Sequence, residues 1–248
     1  TARDANPRSI LTIVSSFPYV LADAADAETV VWSSHAGQEL GHGLLDVLSG
    51  DREPTGRLAQ SWPAHPAQAG DLFDYDTQRQ QATYRHQPDP YAFAFGHGLG
   101  YGDVAYTAVT VDAAEVAAPA PGHRHPALDP RVDESVVVAT VTVANTSPRA
   151  VEELVQVYAV APELPIAAPR RLLLGYARVR VQPGTTRTVQ VPFAVERLAV
   201  WDDTIRVDGA PEGWLYEGAL RVQSGAYRIA AGPSADRLPV EAALVVTD

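Results

Sequence analysis

Cysteine is absent from this 248-residue chain, which excludes a disulfide framework, thiolate chemistry and any cysteine-ligated zinc. That absence suits either side of a membrane, so cytoplasmic and secreted locations both stay open. Methionine and lysine are missing too, and all 19 basic residues are arginine; the arginine bias fits a GC-rich genome and carries no functional reading. Long apolar runs are also lacking, none approaching the ~20 residues needed to span a bilayer. Basic residues are outnumbered by 30 acidic ones, giving a net charge of -11. That balance argues against nucleic acid and against an anionic membrane surface as partners. The opening residues lack the basic start, apolar centre and small-residue cleavage site of a signal peptide. They run almost directly into the apolar stretch 10–14, which reads as a piece cut from a longer protein or one chain of a processed one.

What is present is a hydrophobic fraction of 46%, enough for a sizeable core in one large domain or two small ones. Residues 10–14 and 29–32 are short, nearly continuous apolar runs, expected of strands covered on both faces. Residues 38–48 follow with Leu40, Leu44, Val47 and Leu48 at helical spacing, and Gly50 stands where a left-handed C-terminal cap is expected. Pro54 and Gly56 signal a turn, and residues 57–62 read as a third strand. This β-then-α rhythm predicts a sheet flanked by helices. Two or three strands are few for an open sheet standing alone, so residues 1–102 are expected to be the end of an α/β sandwich domain whose beginning is missing.

Residues 63–90 form a long polar connection, and a connection of that kind is usually functional or disordered. Residues 92–102, with glycines at 96, 98, 100 and 102, form a compact crossing segment. They do not follow a strand and open a helix as a phosphate-binding loop requires. From residue 103 the pattern changes to period two. Strands are expected at 104–111, around Val137, Ala139, Val141 and Val143, and at 154–160, 174–181, 186–193, 226–231 and 242–246. An Ala/Pro-rich loop at 112–133 is expected to be flexible. Short alternating strands with turn residues between them predict an all-β immunoglobulin-like sandwich over 103–248.

These pieces, in this order, resemble the C-terminal region of family 3 glycoside hydrolases, the β-glucosidase and β-xylosidase group. The stretch WSSHAGQELGHGLLDVLSGDREPTGRL carries the family's helix and its G-D-x-x-P-[ST]-G-R-L turn, with SILTIVSSFPYV before it. DYDTQRQQATYRH and FGHGLGY follow as the loop and crossing segment. VTVANTS, ELVQVYAV, LLGYARVRVQPGTTRTVQVPF, RLAVWD and SGAYRIAAG then resemble the family's fibronectin type III-like domain. The resemblance implies a retaining β-glycosidase of three domains. In that mechanism two carboxylates ~5–5.5 Å apart act as nucleophile and acid/base. The family's nucleophile is an Asp on an N-terminal barrel, and its acid/base a Glu on the α/β domain. Nothing here matches the nucleophile's motif, and the acid/base loop is expected just upstream of Thr1. The implied partners are therefore the missing barrel and α/β portion of the same protein, and an oligosaccharide or glycoside substrate; no cofactor is implied.

Among the residues present, Glu39 is a weak candidate for a substitute acid, because a helix start suits a structural carboxylate better. Asp46 reads as a surface or turn-anchoring residue. Asp74, Asp76, Tyr84 and Arg85 are the candidates for a substrate-facing loop, since Asp, Tyr and Arg can hydrogen-bond sugar hydroxyls and Tyr can stack on a sugar face. The competing reading pairs Arg85 with an acidic neighbour and packs Tyr84 on the domain seam. His35, His42 and His97 lack the i, i+4 spacing of a helical zinc site, so no metal is expected. Trp32, Trp62, Trp201 and Trp214 could line a sugar-binding surface, although Trp201 better suits capping the sandwich core. The alternative function is a non-catalytic immunoglobulin-like binding or scaffold module with a helical extension.

Overall fold

The computed structural model describes residues 2–24, 27–122, 135–161, 168–205 and 218–248. A single turn, α1 (Ala2–Ala5), precedes two parallel strands, β1 (Leu11–Val14) and β2 (Val30–Ser33). The helix α2 (Leu40–Ser49) follows and ends at Gly50, whose φ of 85° is the left-handed cap expected from the sequence. The helix starts later than its pattern implies, because Gly37–Glu39 forms a tighter 3-10 turn ahead of it. A four-residue helix, α3 (Thr83–His86), lies near the end of the polar connection.

Two expectations for this region fail. Residues 57–62 add no third strand to β1 and β2. They run instead against the crossing segment, with Leu58 N–H donating to His97 O (2.9 Å), Gly96 N–H to Leu58 O (2.8 Å) and Trp62 N–H to Phe93 O (2.8 Å). Bonding at Leu58 and Trp62 with a bend between them leaves too little regular pairing for a strand. Nor are β1 and β2 covered on both faces: β1 alternates half-buried and exposed, and no residue of α2 is buried.

The remainder is a sandwich of β3 (Val104–Val111), β4 (Glu115–Ala117), β5 (Val136–Asn145), β6 (Val151–Val160), β7 (Leu172–Val181), β8 (Thr186–Ala194), β9 (Val200–Asp202), β10 (Ala219–Arg221), β11 (Gly225–Gly232) and β12 (Val240–Thr247). One sheet runs β4-β12-β11-β6-β7 and the other β3-β5-β8, with β9 and β10 as a separate pair. The strands form where period-two patterning places β-branched residues on one face. On β5, Val137, Ala139, Val141 and Val143 are fully buried against the facing sheet, among them Val155, Val157, Ile229 and Leu244. The segment 112–133 opens with the strand β4, paired in parallel with β12; positions 123–133 lie outside the described residues. Trp201 does not cap the core. It is exposed, and its neighbours Val200 and Asp202 are the buried members of β9, because alternation along a strand turns successive side chains to opposite faces.

Candidate functional site

The motif that identifies the sequence forms a seam between its two halves. Within α2, Asp46 accepts from Arg52 Nε (3.0 Å) and so anchors the turn that follows the helix. The chain then carries Glu53 and Arg57 onto β6. Glu53 accepts the Glu152 backbone N–H (3.0 Å), and Arg57 Nη2 donates to Glu153 Oε2 (2.9 Å). Both side chains of this ion pair are nearly dry, at 6% and 8% exposure, and Tyr106 donates to the second Glu153 oxygen (2.8 Å). Burial and the Glu153 carboxylate together hold the Tyr106 phenol far above its ordinary pKa. The crossing segment closes the seam from the other side. Gln156 Nε2 donates to Gly96 O (3.0 Å), Ala235 N–H to Phe95 O (2.9 Å), and the Tyr101 hydroxyl to Val47 O at the end of α2. Gly96 has a φ of 81°, and a Cβ there would collide with the Gln156 carboxamide. Behind it, Trp62 is buried edge-on to Tyr19, Trp32 and Phe93. Trp32 and Trp62 are thus packing residues, and Trp214 lies outside the described residues.

The candidate residues separate into distinct environments. Glu39 is exposed and pairs with His42 Nδ1 (2.7 Å) rather than capping α2. Asp74 forms an ion pair with Arg79 (2.6 Å) and accepts the Asp76 N–H (3.0 Å). The Arg79 hydrogen bond, and after it the Asp76 N–H, hold its carboxyl below the usual carboxylate range. Asp76 Oδ1 accepts the N–H groups of Gln78 (3.1 Å) and Arg79 (2.8 Å). Tyr84 lies in the seam, stacked on Phe95 with centroids 4.4 Å apart and edge-on to Tyr158. Its hydroxyl accepts the Leu173 N–H (3.3 Å), and burial raises its pKa. Arg85 is exposed and has no ion pair among the described residues, while its carbonyl accepts the Arg170 N–H (2.6 Å). The structure therefore joins Asp74 and Asp76 in one braced loop, leaves the Arg85 side chain exposed without an ion pair among the described residues, and sets Tyr84 and Glu39 apart from both.

Among the described residues no group of three or more His, Asp or Glu side chains is arranged to hold a metal ion, and no helix is long and apolar enough to cross a membrane. Two features escaped the sequence reading. Glu153 was hidden because an acidic residue on a strand is normally assigned to the outer face, whereas here it shares the buried face of Val151 and Val155 and meets Arg57 and Tyr106. Phe73 and Tyr75 were hidden by the polar composition around them; both are exposed on the loop.

Two family descriptions match parts of the chain. The Glycosyl hydrolase family 3 C-terminal domain matches residues 1–101, and the Fibronectin type III-like domain matches residues 153–235. Probable beta-glucosidase K of Emericella nidulans is 30% identical over 263 aligned positions, covering 99% of this chain and 27% of the relative. Probable beta-glucosidase I of Aspergillus clavatus is 29% identical, over 86% of this chain and 26% of the relative. The chain thus spans about a quarter of the length of the curated relatives it matches. A β-D-glucoside glucohydrolase from Trichoderma reesei superposes with a TM-score of 0.81 over 98% of this chain and 34% of its own, at 24% identity, a likeness of fold. A β-glucosidase from Streptomyces venezuelae in complex with D-glucose gives a TM-score of 0.73 at 26% identity, over 98% of this chain and 29% of its own. The chain belongs to glycoside hydrolase family 3, and it carries part of that family's C-terminal α/β sandwich domain followed by the fibronectin type III-like domain.

Proposed function

We propose that this chain is the C-terminal part of a retaining β-glycosidase that hydrolyses terminal β-linked glucose or xylose. In that role it completes the α/β domain, borders the active-site cleft with the 71–87 loop, and stabilises the enzyme through the sandwich, while being inactive alone. One observation carries the reading. Residues 2–101 leave large apolar side chains such as Phe17, Leu45 and Leu48 open to solvent beside a sandwich whose core is complete, and an open apolar face of this kind marks a contact surface. Retaining hydrolysis needs two carboxylates facing one bond, and Glu39 instead sits exposed against His42. Arg85 is the exposed candidate placed to meet a sugar, and Asp74 and Asp76 support the loop that carries it. The module reading accounts for the sandwich but leaves the open face without a partner.

The test uses the intact polypeptide that carries this chain, assayed with nitrophenyl β-D-glucoside and β-D-xyloside. Arg85→Ala is expected to lower kcat/KM by about tenfold or more, the scale of a lost hydrogen bond to a charged group, with little change in the unfolding midpoint. Unchanged kinetics removes the loop from the site. Residues 1–248 alone should give no turnover; turnover abolished by Glu39→Gln overturns the proposal.

A further inference from the structure

The loop from Gly70 to Ala82 exposes three large apolar side chains among its polar ones. Four of its polar side chains bond its own backbone. Asp71 accepts the Phe73 N–H (2.9 Å), Asp74 the Asp76 N–H, and Asp76 the N–H groups of Gln78 and Arg79. The Gln80 carboxamide closes the loop, accepting from Asp71 N–H (2.5 Å) and donating to Asp74 O. The Asp74–Arg79 ion pair braces the middle. Leu72, Phe73 and Tyr75 point outward instead, at 82%, 85% and 90% exposure. The base is fixed to the sandwich by Tyr84 and by Arg170 N–H donating to Arg85 O.

We infer that Leu72, Phe73 and Tyr75 form a latch that seats in an apolar recess elsewhere on the same, longer polypeptide. The inference rests on the reading above that this chain is one part of such a polypeptide. The occupant follows from the chemistry. A sugar platform needs hydrogen-bonding groups beside its aromatic ring, and here the Asp74 carboxylate, one oxygen of Asp76 and the Gln80 carboxamide are engaged within the loop. Three adjacent apolar side chains suit a dry protein surface. Relatives roughly four times as long supply such a surface within one chain. A loop already braced in shape loses little freedom on docking.

The test places a thiol at the tip. Residues 1–248 contain no cysteine, so Phe73→Cys and Tyr75→Cys, made separately in the intact polypeptide, are each read by iodoacetamide labelling and mass spectrometry of the loop peptide. A seated latch makes labelling at least about tenfold slower than in the same protein unfolded in denaturant, the factor set by an opening free energy of ~1.4 kcal/mol. Trypsin cleavage after Arg79 in the unsubstituted intact polypeptide should be slow in parallel. Labelling at the unfolded rate overturns the latch. So does protection lost on dilution, which assigns the tip to self-association, and so does protection seen only with D-glucose, which assigns it to the substrate. Glycosidase turnover measured on the same samples separates the two proposals: activity with an unprotected tip keeps the proposed function and ends the latch, and protection without activity does the reverse.

Discussion

The two halves of this chain carry similar hydrophobic patterning and use it differently. In the sandwich, the alternating valines of β5 meet a facing sheet and vanish from solvent. In the α/β half, Leu40, Leu44, Val47 and Leu48 repeat at helical spacing just as regularly, yet none is fully buried, and Leu45 beside them is 61% exposed. Periodicity marks the face that requires a partner; it does not supply one. Between the halves lies the seam of Arg57, Glu153 and Gln156, which is as dry as a core although it joins an incomplete layer to a complete one.

The largest effect is expected at that seam. Glu153→Ala strands the buried Arg57 charge and should destabilise the fold by about 3–5 kcal/mol, read as a shift in the urea midpoint at constant slope. A shift below ~1 kcal/mol would mean the seam is wet and the halves are loosely joined. Next is the contrast between layers. Ile229→Ala in the sandwich core should cost about 2–5 kcal/mol. Leu45→Ala in residues 1–248 alone should stay within ~0.5 kcal/mol. Equal losses at both positions would erase the distinction drawn here. Gly96→Ala forces a Cβ at positive φ against Gln156, and about 1–2 kcal/mol is expected from the backbone alone. The smallest effect is one of pH. Burial, with Arg57 adding to it against the opposing Asp236 carboxylate, holds the His97 pKa below its ordinary value. The unfolded chain therefore takes up the proton first, so His97 contributes stability above the unfolded value near 6.5 that declines as pH falls through it. His97→Phe should flatten that part of the stability profile; an unaltered profile places the titration elsewhere.

Much of this was legible in the residues. The strand set of the sandwich follows from alternation, and the α2 cap from Gly50, because both depend on local chemistry. The seam was not legible. The charge of Glu153 suits an outward strand residue, and its place on the buried face beside Val151 and Val155 is satisfied by Tyr106 and by Arg57, 96 positions earlier. Residues 57–62 read as a strand after the turn signalled by Pro54 and Gly56, but the partner that decides the matter is the crossing segment 93–97. The site suffered in the same way. Asp74, Asp76, Tyr84 and Arg85 are four plausible sugar-binding residues as letters, yet Asp74 and Asp76 brace their own loop and Tyr84 belongs to the seam. Local bracing sets Asp74 and Asp76 apart from Arg85, and long-range packing does so for Tyr84.

The central claim is that the sandwich is self-sufficient while the α/β half awaits the rest of its domain. Native-state hydrogen exchange tests it most directly, run on residues 1–248 alone and on the intact polypeptide. The account predicts that amides of β5, β6 and β11 are protected in both, whereas those of β1, β2 and α2 exchange freely in the isolated chain and become protected in the intact one. Equal protection of α2 in the two samples would contradict it.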